Sequence, residues 1–169
     1  MGRYLTQDDK AVELRSWEAA KRQRTINPPA GFVGGHGYPD PEIYAFVDRL
    51  NRLHRLCTLQ SCSGHRCTDA SMCGYCIEQE ARLGLYQGDH VWAGQLWLWA
   101  DEKLASWFLA HATELAAQPS IEKLSILWHV EGREIIDIVF KGAGTGGLDA
   151  STAAVCQFFE RGNMECNLG

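Results

Sequence analysis

Ile121-Glu122-Lys123-Leu124-Ser125-Ile126-Leu127-Trp128-His129-Val130, then Glu131-Gly132, then Arg133-Glu134-Ile135-Ile136-Asp137-Ile138-Val139-Phe140-Lys141, is the stretch that decides the fold class. Two alternating runs flank a two-residue turn ending in glycine, the best hairpin signal in the chain. Upstream, His90 to Ala100 carries Trp92, Trp97 and Trp99 and reads as a strand. Asp101 caps a helix to about Ala117, with Leu104, Trp107, Phe108, His111 and Leu115 on its apolar face. Downstream comes Gly142-Ala143-Gly144-Thr145-Gly146-Gly147. It lacks the Gly-Lys-Ser/Thr ending of a phosphate loop and the context of a dinucleotide-binding turn, so it reads as a flexible connection. Asp149 opens a last helix through Ala153, Val155, Phe158 and Phe159, ending at Gly162.

The first half supplies helices and one strand. Thr6 to about Thr25 reads as a helix with Asp8 and Asp9 in its first turn, stopped by Pro28-Pro29. A loop rich in Gly and Pro covers 27–41. Asp40 and Pro41 start a second helix, which puts Ile43, Phe46, Val47, Leu50 and Leu53 on one side. Leu56 to Ser61 reads as a short strand, broken by Cys62-Ser63-Gly64-His65. The order helix, helix, strand, strand, helix, hairpin, helix predicts an α+β fold: a single domain over 1–169 with a mixed or antiparallel sheet flanked by helices. A cysteine-rich insert occupies about 66–88.

With 169 residues, 46% hydrophobic and 22% charged, the chain suits one globular domain with a real core. No apolar run reaches the length of a membrane span, and the N-terminus has no apolar core of a secretory signal. Seven cysteines, an odd number without such a signal, argue for reduced thiols and a cytoplasmic protein. The net charge is −5, unevenly spread: residues 1–66 carry ten Lys/Arg against seven Asp/Glu, and the remainder six against fourteen. That is too little positive charge for a generic DNA coat, though one patch around Lys21, Arg22, Arg24, Arg49, Arg52, Arg55 and Arg66 could face a phosphate or an RNA stem-loop. A solvated helix face is the plainer alternative.

Ser61-Cys62-Ser63-Gly64 is the leading candidate site. A strand that breaks into a polar loop gathers backbone N–H groups and hydroxyls at a sheet edge, where they can cradle a carboxylate or phosphate. Gly64 permits a positive φ and a close ligand approach, and His65 and Arg66 add charge. A merely polar turn accounts for the same residues. A nucleophilic Cys62 would need a base such as His65 and an electropositive setting. Cys73-Gly74-Tyr75-Cys76 with Cys67 raises a structural zinc, but one C-x-x-C is half of the usual pattern, and free thiols are the better reading. His129 beside Trp128 fits either a core-edge histidine or a site residue.

Asp40-Pro41-Glu42-Ile43-Tyr44-Ala45-Phe46-Val47-Asp48-Arg49-Leu50-Asn51, followed by Thr58-Leu59-Gln60-Ser61-Cys62-Ser63-Gly64-His65, resembles the core signature of the tRNA wybutosine-synthesising protein 3 family. Trp97-Leu98-Trp99-Ala100-Asp101 and Leu127-Trp128-His129-Val130 are similar to two further family segments. The resemblance is specific over about 36–66 and weaker over 90–130. It implies methyl transfer dependent on S-adenosyl-L-methionine to a nitrogen of a modified guanine nucleoside, in tRNA or as a related nucleotide. It places Ser61, Cys62, Ser63 and Gly64 at the site's core, with Asp40, Asp101 and His129 approaching. Ser61, Ser63 or His129 would orient the acceptor base, and Trp97 or Trp99 would stack on it. This chain departs from the family at His65, where the family has arginine, at Leu59-Gln60, and in the Cys67–Cys76 insert. A binding protein that captures a small nucleotide-like ligand without turnover is the alternative on the same scaffold.

Overall fold

The structure, a computed structural model, describes residues 3–26, 41–64, 66–67, 83–84 and 90–169, with the backbone alone at 23–26, 67 and 127–130. Its centre is the hairpin expected from the sequence. Strand β5 (Ile121–Val130) turns through Glu131 and Gly132 into β6 (Arg133–Phe140), and both turn residues have positive φ, 54° and 78°. That left-handed pair matches the twist of the flanking strands, which is why the second position is glycine. Strand β4 (Gly94–Ala100) pairs with β6, and β1 (Leu56–Cys62) pairs with β4. The sheet has the order β1-β4-β6-β5, and every pairing is antiparallel. The run read as one strand over His90–Ala100 is two: β3 (His90–Val91) pairs with β2 (Arg66–Cys67), and the chain breaks at Trp92-Ala93 before β4.

Among the described residues, four helices accompany the sheet. They are α1 (Gln7–Ile26), α2 (Tyr44–Asn51, preceded by a 3-10 turn Pro41–Ile43), α3 (Glu102–Ala116) and α4 (Leu148–Leu168). Alternation along the strands gives the sheet two unlike faces. Leu96, Leu98, Ile136, Ile138 and Phe140 turn one way and form the main core with Phe46, Val47 and Leu50 of α2, Leu104, Phe108 and Leu115 of α3, and Val155 and Phe159 of α4. Each such fully buried side chain contributes about 1.5–3 kcal/mol through removal from water. The other face carries a smaller cluster of Cys57, Trp99 and Ile135 with Leu5 of the N-terminal arm.

The last helix is longer than the sequence suggested. Gly162 does not end it; α4 runs six residues further, to Leu168. A Cβ at Gly162 would stand 2.5 Å from the Trp107 ring, so this glycine serves the close approach of α3 and α4. Helix α1 is tied to α2: the Trp17 Nε1–H donates to Asp48 (2.6 Å), the Trp17 ring meets Tyr44 edge-on, and Lys21 pairs with Asp48. Lys10 buries its ammonium on the carbonyls of Leu53 and Leu56. Among the described residues no helix is long and apolar enough to cross a membrane. The arrangement is a single α+β domain.

Candidate functional site

The Ser61-Cys62-Ser63-Gly64 segment straddles the end of β1. Register sets its members apart. Ser61 pairs with Leu96 and so shares the helix-covered face, while Cys62 pairs with Gln95 on the opposite one. The Ser61 hydroxyl oxygen is buried without a hydrogen-bond partner among the described residues. Ser63 and Gly64 leave the strand and are buried.

The loop is seated on the glycine-rich turn, two segments that the sequence did not connect. The Ala143 N–H donates to the Ser63 carbonyl (2.9 Å), and the Gly144 N–H donates to the Gly64 carbonyl (3.0 Å). Gly64 has φ +69°, as its position after a strand suggested. The close approach it permits, however, is to the chain itself. A Cβ there would lie 2.5 Å from the Gly94 nitrogen and 2.7 Å from the Trp92 carbonyl oxygen. A Cβ on Gly142 would strike the Ser63 carbonyl oxygen, and one on Gly94 would enter the Phe140 ring. Three glycines far apart in sequence thus meet where three backbone segments converge. The expected flexible connection is a docked turn: Ala143–Thr145 form a 3-10 turn, the Thr145 hydroxyl donates to the Gly142 carbonyl, and the Ser151 hydroxyl, buried at the start of α4, donates to the Lys141 carbonyl (2.7 Å).

The face turned away from the main core carries chemistry that the sequence reading missed. Gln60, Trp97, Asp137 and Ser125 are cross-strand neighbours in one row over all four strands. Cys62, Gln95, Val139 and Lys123 form the next row. Asp137 is only 6% exposed. Among the described residues its carboxylate accepts one hydrogen bond, from Gln95 Nε2 at 2.8 Å. The Trp97 Nε1 and the Ser125 hydroxyl oxygen, on either side of it, are buried and without a hydrogen-bond partner among the described residues. A buried carboxylate with most of its acceptor capacity unused is costly, and so are unsatisfied donors. One signal in the sequence pointed here: Asp137 interrupts Ile135-Ile136 and Ile138-Val139, where a buried strand would otherwise be wholly apolar.

The remaining expected site residues divide. Cys62 and Trp97 are brought onto the same face, one row apart. Trp99 shares that face but is fully buried in the smaller core; its Nε1–H donates to the Arg3 carbonyl, and the Arg133 guanidinium covers its ring. It is a structural tryptophan rather than a stacking platform. Asp101 does not approach the loop. Antiparallel pairing of Leu56 with Ala100 puts it at the other end of β1, roughly 20 Å from Ser63 at the rise of a strand. There it accepts from the Leu104 N–H as the cap of α3 and pairs with Arg55 (2.5 Å). His129 lies near the hairpin end of β5, the far edge strand. Three strand spacings and the length of the strands part it from Ser61 and Ser63 by more than about 20 Å, so these three do not converge. Arg66 is exposed on β2. Asp40, His65, Cys73 and Cys76 lie outside the described residues, and Cys67 is described by its backbone in β2. Among the described residues no cluster of His, Cys, Asp and Glu could hold a metal ion. Burial beneath the sheet face pushes the Cys57 thiol up to about 12 and makes it inert as a nucleophile.

No family model matches the chain, and no curated protein matches it. Among solved structures, the PH1069 protein from Pyrococcus horikoshii is similar, with 14% identity and a TM-score of 0.50 over 95% of this chain and 90% of that one. At that identity the likeness shows a shared α+β fold.

Proposed function

We propose that the protein is a methyltransferase-like protein that uses S-adenosyl-L-methionine and acts on a modified guanine nucleoside, in tRNA or as a related nucleotide. The observation that carries this reading is the meeting of Cys62 and Trp97 with a buried, under-satisfied Asp137 on one face of the sheet. The resemblance over about 36–66 supplies the reaction class. The fit of the cofactor turns on the unpartnered polar atoms. Among the described residues the Ser125 hydroxyl and the Trp97 N–H are unpartnered groups on this face, of the type that its ribose and amino-acid carboxylate require; the Ser61 hydroxyl lies on the opposite, helix-covered face and takes no part. The tight glycine seat at Gly64, Gly94 and Gly142 offers no room for it, because the chain's own backbone and Phe140 fill that space.

When bound, the cofactor supplies an electrophilic methyl carbon on a sulfonium. The protein's part in such chemistry is chiefly to hold the two reactants in line. Trp97 would set the plane of the base, and hydrogen bonds along its row would fix its rotation.

A second reading, capture of a nucleotide-like ligand without turnover, draws on two observations. Ser61, Ser63 and His129 do not converge. Arg49 and Arg55 are engaged by Glu160 and Asp101, so the basic patch read along 49–55 is partly neutralised within the fold, which suits a small nucleotide better than a tRNA body. Calorimetry separates the readings. We expect saturable binding of S-adenosyl-L-methionine; no heat at millimolar cofactor would end the methyl-transfer reading. For capture, a thermal-shift screen of nucleotides should yield a hit, since a ligand at 100 times its Kd stabilises by about 2.7 kcal/mol.

A further inference from the structure

We infer that Asp137 and Lys123 receive the two charges of an α-amino acid group, Asp137 its ammonium and Lys123 its carboxylate. The inference deepens the reading above and rests on it, since the group concerned is the amino-acid end of the cofactor. It starts from a buried anion. Asp137 stands in β6, the strand between β4 and β5, and is 6% exposed. It faces away from the main core, so apolar packing does not explain an acid there. Its carboxylate has roughly four acceptor positions, of which Gln95 uses one among the described residues. Among those residues it pairs with no cation. A carboxylate taken from water without a counter-charge is costly, and a ligand that brings a cation offsets that cost. The Trp97 Nε1 and the Ser125 hydroxyl oxygen, in the same row, also lack partners among the described residues, so the chain's own groups leave the row incomplete.

A cation stands one row away on the same face. Lys123 of β5 is the register partner of Val139, two positions along β6 from Asp137, and is exposed. Such diagonal neighbours lie about 7–8 Å apart. An α-amino acid bears its ammonium and its carboxylate on one carbon, so a single group spans the couple. The ammonium has three N–H donors for a carboxylate with acceptor positions to fill. Asp137 sits deeper and is the selective member, because a neutral or anionic group against it leaves its charge unmet. Lys123 reaches in from the rim on a flexible stem. The approach is open, since Gln95, Trp97, Ser125 and Val139 are each partly exposed. Gln60, across Trp97 from Asp137, remains for the acceptor base.

The test is calorimetry on the intact chain with S-adenosylhomocysteine, which keeps the amino-acid group but carries no methyl and no sulfonium charge. Two analogues accompany it, one without the α-amino group and one without the carboxylate. Loss of the amino group should weaken binding roughly ten- to a hundredfold, the effect of a hydrogen bond to a buried charge. Loss of the carboxylate should weaken it roughly two- to fivefold, as for an exposed ion pair. Asp137→Asn keeps the side chain's size and an oxygen for Gln95. With its circular dichroism spectrum retained, it should erase the effect of removing the amino group and keep that of removing the carboxylate. Lys123→Met should do the reverse. The inference is overturned if the deaminated analogue binds as tightly as S-adenosylhomocysteine, or if a folded Asp137→Asn still separates the two. Either result, with S-adenosyl-L-methionine still binding, leaves the methyl-transfer reading in place. No binding of S-adenosyl-L-methionine or S-adenosylhomocysteine at millimolar concentration removes both. The analogue series needs no variant, so it decides the matter even where a mutant does not fold.

Discussion

Gly64 shows how one residue can be read correctly in conformation and differently in purpose. Its positive φ follows from its place just after a strand. Its neighbour across the gap is backbone from Trp92–Gly94, and backbone cannot swing aside. Gly64→Ala would add both left-handed strain and a clash, and we expect it to destabilise the domain by about 2–4 kcal/mol, visible as a lower urea midpoint at unchanged slope. A loss below about 0.5 kcal/mol would show that the seat is loose. Asp137 is the reverse case. Nothing local marks it except polarity within an apolar run, and its partner Gln95 lies 42 positions earlier. Asp101 is legible as a helix cap from its neighbours alone, and its removal from the site comes only from the pairing of β1 with β4.

At the scale of elements, helices and the hairpin were legible because each rests on spacing within a short window. The end of α4 was not. Glycine within reach of a helix end ordinarily signals a stop, but at Gly162 the helix continues because Trp107 of α3 needs the missing Cβ. Two effects oppose each other in Gly162→Ala. Alanine gains up to about 1 kcal/mol of helix propensity, and overpacking against the indole costs about 1–3 kcal/mol. Trp107 is also held by its N–H to Glu165 and by stacking on His111, so it does not move freely. We therefore expect a net loss and a lower thermal midpoint; a rise would mean that the ring gives way. The division of His90–Ala100 into β3 and β4 has a similar origin, since Gly94 must lie flat against Phe140 and the chain breaks just before it.

For the whole molecule, the N-terminal arm covers the Cys57–Trp99–Ile135 part of the sheet face turned away from helices α2, α3 and α4. The Leu5 N–H donates to the Ala100 carbonyl, the Glu134 N–H donates to the Arg3 carbonyl, and Arg3 holds the Glu134 carboxylate through two nitrogens. Hydrogen bonding from Arg3 keeps the Glu134 carboxyl below the ordinary glutamate range. The unfolded chain therefore binds the proton more readily than the folded one, and stability falls as protons are added. This contribution is complete above the ordinary glutamate value of about 4.3 and is lost as the pH drops through the lowered folded value. Melting the wild type and Glu134→Gln between pH 7 and pH 3 should show the variant less stable at neutral pH and the two curves converging in acid; parallel curves would mean that the pair adds nothing. By itself the sequence determined the element types, the hairpin, the α+β class and the polar break at Ser61–Gly64, because each depends on residues within about a dozen positions of one another. Only the tertiary structure decided the order β1-β4-β6-β5, the seat of Gly64 on Gly142–Gly144, the exclusion of Asp101 and His129, and the row that sets Trp97 beside Asp137. Those depend on the pairing of strands far apart in the chain, and a shift of one residue in that register would turn every side chain to the other face.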